Sequence, residues 1–74
     1  MALYDDVIAV ARPYLGPAVE RFISRQISSH LNTTAQDLAP QHLDELAKWC
    51  YVSGKLVMDE AKAREFSEKI KVLR

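Results

Sequence analysis

Apolar residues recur along this chain at intervals of three and four, and the phase of that recurrence divides it into helical segments. In the first, Leu3, Tyr4, Val7, Ile8 and Ala11 share a face, while Asp5 and Asp6 stand in a first turn where the helix dipole favours negative charge. This predicts a helix over 2–12 that ends or bends at Pro13, whose ring cannot continue the hydrogen-bond ladder. Gly16 and Pro17 then punctuate the chain, Pro17 suiting the first position of a new helix. Over 17–30, Val19, Phe22, Ile23, Gln26, Ile27 and His30 fall on one face, and Glu20, Arg21, Ser24, Arg25, Ser28 and Ser29 lie opposite.

Asn32 is a natural stop, and Thr34 followed by Asp37 resembles a capping box, predicting a short helical turn over 34–38 with Leu38 reaching the core. Pro40 opens a third helix over 40–58, with His42 exposed in its first turn. Asp59 is suited to cap a fourth over 59–73, with Ala63, Phe66, Ile70 and Leu73 as its buried stripe and Glu60–Arg64 and Glu65–Lys69 as pairs on the wet side. The expected fold is all-α, a single domain over 1–74 built as a compact bundle of four main helices with a short helical turn between the second and third.

The third helix is the centre of this arrangement. Leu43, Leu46, Ala47, Cys50, Gly54, Val57 and Met58 form one stripe. The opposite side reads Glu45 and Lys48 at first, then Trp49, Val52 and Leu56, so the second half is apolar on both sides. Such a helix either runs through the middle of a bundle or leaves one side for a partner. Gly54 costs about 1 kcal/mol relative to alanine inside a helix, which close approach of another helix would offset.

Composition narrows the functional classes. With 74 residues, just under half of them apolar, the chain can bury one modest core and gains from association. Ten basic and ten acidic residues cancel, so nucleic-acid binding is disfavoured, although a local basic patch remains open. The single cysteine, Cys50, lies on the core stripe, excludes an internal disulfide and suits a reducing compartment. No apolar run is long enough for a membrane span and the first residues do not resemble a signal peptide, so a cytoplasmic location is expected.

His30, His42, Cys50 and scattered carboxylates lack any metal-ligand spacing, and no metal or cofactor is expected. No activated serine or cysteine is framed for catalysis, and the two glycines are too far apart for a phosphate loop. The sequence therefore implies neither an enzyme nor a small-molecule substrate.

The stretch YLGPAVERFISRQ, followed by LDELAKW and REFSEKI, resembles a small helical module of bacterial multidomain signalling proteins. The resemblance spans about residues 12–70 and is carried by Gly16, Pro17, Ala18 and Arg25, where a Gly-Pro-Ala turn opens an amphipathic helix. It implies a non-catalytic docking or assembly module. The residue pattern leads independently to the same class: a protein-protein interaction module, with homodimerisation as one form, whose contact surface centres on Trp49, Val52 and Leu56 with Tyr51 or Tyr14 at its rim. The alternative is a regulatory protein that binds nucleic acid or another polyanion through Arg12, Arg21 and Arg25.

Overall fold

The computed structural model describes residues 3–73; Met1, Ala2 and Arg74 lie outside them, so the expected helix start at Ala2 does too. All regular structure among the described residues is helical. We number the α-helices α1 (Leu3–Leu15), α2 (Val19–Gln26), α3 (Leu43–Gly54) and α4 (Glu60–Lys71). The expected count of four main helices is not matched in detail. Three segments are α-helical for twelve or thirteen residues, but the second is composite: a 3-10 turn over Gly16–Ala18, eight α-helical residues, and a π turn over Ile27–Leu31.

α1 continues through Pro13 instead of ending there. Proline removes one backbone donor, leaving the Ala9 carbonyl without its helical partner. Ala9 and Pro13 are both exposed, so water can satisfy that carbonyl and the interruption is tolerated. The turn to α2 depends on Gly16, at φ +60°, a left-handed conformation that costs other residues roughly 1–2 kcal/mol. Pro17 follows at the start of the 3-10 turn. The π turn ends at Asn32, also left-handed at φ 54°, as suits its short polar side chain.

The expected helical turn over 34–38 is a hydrogen-bonded turn only. Thr34 Oγ1 accepts the Asp37 N–H at 3.3 Å, but the Asp37 carboxylate takes the Thr34 hydroxyl at 3.2 Å, closing the motif locally so that no helix propagates. Leu38 is buried, as expected. Pro40–His42 forms a 3-10 turn before α3 begins at Leu43. There His42 is half-buried, and its Nδ1 accepts the Ala39 N–H at 2.9 Å.

α3 stops at Gly54, four residues before the expected end. The chain tightens through Leu56 N–H to Ser53 O at 3.1 Å and Val57 N–H to Gly54 O at 3.0 Å. It then becomes extended at Asp59, whose Oδ1 accepts the Lys62 N–H at 2.8 Å. A capping residue needs extended backbone, so α3 cannot run on into Asp59, and the turn through Leu56 and Val57 ends it earlier. Val57, placed by helical spacing on the core stripe, is consequently exposed.

α3 packs most extensively on α4, and α1 lies against both α2 and α4. A β-carbon built on Gly54 would stand 3.5 Å from Ala63 Cβ, so the helices approach closely there. The core gathers Val7, Ile8 and Ala11 with Val19, Ile23 and Ile27, Leu43, Leu46 and Cys50, and Phe66 and Ile70. Phe66 is fully buried, with its ring 5.3 Å from Tyr14 and 6.3 Å from Phe22. Buried Gln26 is satisfied by Ser53, whose hydroxyl donates to Oε1 at 3.1 Å, tying α2 to α3.

Candidate interaction surface

Along α3, burial of Leu43, Leu46, Ala47, Cys50 and Gly54 turns Trp49, Val52 and the following turn outward. Trp49 is half-buried and already engaged. One ring face stacks on His30 at 3.8 Å between centroids and 7° between planes, and the indole N–H donates to Glu45 Oε2 at 3.0 Å. Lys48 Nζ lies 5.3 Å from the same ring. Trp49 therefore closes the seam between α3 and the π turn, and the open apolar area lies further along the chain.

That area is Val52 at 41% exposure, Leu56 at 86% and Val57 at 64%. Val52 belongs to the last turn of α3, whereas Leu56 and Val57 belong to the turn before α4. Val72 is also exposed, but at the other end of α4. Sequence periodicity finds Val52 and Leu56 but misses Val57, because it assumes that the helix continues. It also places His30 on the buried face of the second segment. A π turn takes more residues per turn than an α-helix, so His30 falls short of the stripe that Ile23 and Ile27 define and reaches Trp49 instead.

Tyr51, the expected rim residue, is half-buried. Its hydroxyl donates to Glu60 Oε2 at 3.0 Å, and Arg64 donates to the same oxygen at 3.2 Å. The Arg64 pKa is raised above its ordinary value, first by its hydrogen-bond contact with Tyr51, then by the charges of Tyr51 and Glu60. Lys55 Nζ lies 4.8 Å from the Tyr51 ring centroid. These contacts form a polar cluster joining the end of α3 to the start of α4.

Arg12, Arg21 and Arg25 are exposed, and none forms an ion pair with a described residue. Arg21 and Arg25 are one turn apart on α2, whereas Arg12 belongs to α1. The serines that would accompany them are occupied: Ser24 Oγ lies 3.1 Å from the Tyr4 hydroxyl, and Ser28 Oγ donates to the Arg25 carbonyl at 3.5 Å.

Cys50 is buried, and desolvation pushes its thiol up to about 12. Burial therefore keeps the Cys50 side chain a neutral thiol near neutrality. Among the described residues, no three histidines, cysteines or carboxylates are grouped to hold a metal ion. No helix there is long and apolar enough to cross a membrane. No protein-family model, curated protein or solved structure matches this chain.

Proposed function

We propose that this chain is a non-catalytic interaction module that self-associates through the end of α3 and the turn that follows it. The observation that carries the reading is the exposure of Val52, Leu56 and Val57 together on a chain this small. At about 1.5–3 kcal/mol for a fully buried aliphatic side chain, covering the fractions now in water contributes about 3–6 kcal/mol per copy. Association itself costs at least about 4 kcal/mol, so one such patch alone holds a partner poorly. An isologous contact buries the patch twice and doubles the term. Set against that cost, the expected result is a weak dimer no tighter than about 1 µM.

Trp49 acts here as support, since its ring and N–H are committed within the chain. Tyr51, Lys55 and Glu60 form the polar rim that sets orientation. Sedimentation equilibrium across about 10 µM to 1 mM tests the reading. A monomer–dimer equilibrium in that range supports it, and a monomer at every concentration rejects it. Raising the salt leaves an apolar contact nearly unchanged, whereas binding of a polyanion at Arg12, Arg21 and Arg25 would weaken steeply.

A further inference from the structure

Independently of the α3 surface, a groove of about 560 Å³ runs between α1 and α4. Ala9, Val10, Pro13 and the Tyr14 ring line it from α1, with Met58 from the turn before α4. Lys62, Glu65 and Lys69 form the α4 wall. Pro13 brings no N–H to this side, and stacking on Phe66 fixes the Tyr14 ring.

Size decides what kind of molecule fits. The volume falls in the range of about 300–1,000 Å³ usual for small-molecule sites. α1 borders the groove only from Ala9 to Tyr14, about 9 Å of helix, too short for the roughly 800 Å² that a stable protein partner covers.

Charge decides the head group. The wall holds two ammonium groups and one carboxylate, and that carboxylate is committed: Glu65 Oε2 accepts the Tyr14 hydroxyl at 2.6 Å and lies 3.5 Å from Lys69 Nζ. The Glu65 carboxyl is held below its usual range, first by the Tyr14 hydroxyl and then by the charges of Lys69 and Lys62. Lys62 forms no ion pair with a described residue.

We propose that the groove between α1 and α4 binds a small amphipathic carboxylate of the medium-chain fatty-acid class, its hydrocarbon over Val10, Pro13 and Met58 and its carboxylate paired with Lys62. Charge complementarity at Lys62 and the apolar floor select this occupant together, because a purely apolar molecule gains nothing from the ammonium and a simple anion leaves the floor wet.

Titration of the ¹⁵N-labelled chain with octanoate, followed by amide shifts at neutral pH, tests the proposal, with 1-octanol as the uncharged control. Saturable shifts are expected around Ala9, Val10, Tyr14, Met58 and Lys62, with 1-octanol binding more weakly by up to about fivefold. The Lys62 side chain is exposed and makes no hydrogen bond with a described residue, so Lys62→Gln keeps the fold. It should weaken octanoate measurably, by up to about fivefold, and leave 1-octanol unchanged. Ala9→Trp fills the exposed floor and should weaken both ligands. Shifts that do not saturate, shifts centred on Leu56 and Val57, equal binding of octanoate and 1-octanol, or unchanged octanoate affinity in Lys62→Gln would overturn it.

Discussion

Replacing Leu56 with serine separates association from folding. Leu56 is 86% exposed and its side chain makes no hydrogen bond, so Leu56→Ser should change the unfolding free energy by no more than about 0.5 kcal/mol. In the dimer the same residue is covered once in each copy. Burying the exposed part of one leucine contributes about 1.3–2.6 kcal/mol, hence about 2.5–5 kcal/mol for the pair. A loss of that size weakens the dimer at least about fiftyfold and moves dissociation beyond the concentrations at which the native chain pairs.

The assay has two halves. Sedimentation equilibrium reads the association, and urea unfolding followed by circular dichroism reads the fold. The expected outcome is a monomeric variant with the native unfolding midpoint. A variant that dimerises like the native chain refutes the assignment of the interface. A variant that loses its midpoint refutes the separation, because Leu56 would then contribute to the core in solution.

Other expectations follow from the core and the turns. Gly54→Ala places a β-carbon 3.5 Å from Ala63 Cβ, an ordinary contact, so the gain in helix propensity should leave thermal stability unchanged or raised by up to about 1 kcal/mol. Gly16→Ala meets no neighbour but must hold φ +60°, and thermal unfolding should show a loss of about 1 kcal/mol. Phe66→Ala empties the centre of the core at a cost of about 3–5 kcal/mol, much of the stability a chain this short commands, and circular dichroism should report a largely unfolded chain at 37 °C.

For Cys50, the folded chain keeps its thiol proton up to about 12, whereas the unfolded chain releases it near 9.0. Between these values the native state binds more protons, so stability is intact below 9.0 and falls by about 1.4 kcal/mol per pH unit above it. Urea midpoints measured from pH 8 to 10.5 should decline accordingly, and a thiol reagent at pH 8 should react only as fast as the chain opens.

Residues acting within their own helix were legible in the sequence. The Asp59 cap and the Glu60–Arg64 and Glu65–Lys69 pairs, at 3.2 and 3.5 Å, depend on neighbours three or four positions away, and spacing identifies them without a third dimension. The same holds for the buried stripes: Val7, Ile8, Ile23, Leu43, Leu46, Phe66 and Ile70 all occupy the interior that their periodicity assigns. Cys50 is buried as a small apolar residue, and Leu38 is held inward from a segment with little regular structure.

Tertiary structure decided where the elements stop and what remains outside. Continuation through Pro13 fits the exposure of Ala9 and Pro13, a property of packing rather than of the local sequence. α3 ends at Gly54 because the chain turns through Leu56 and Val57 before the Asp59 cap, and helical periodicity does not describe that turn. Its outcome turns Val57 into solvent and leaves Leu56 on a turn. The His30–Trp49 stack, the Tyr14–Glu65 bond and the groove beside Lys62 join residues 19, 51 and more positions apart, and only the packed chain brings them together. Sequence determined the helices and their inward faces because those follow from local geometry and solvation. Contact between distant segments determined the surface, since the groups left for a partner are those that the core and the caps have not already used.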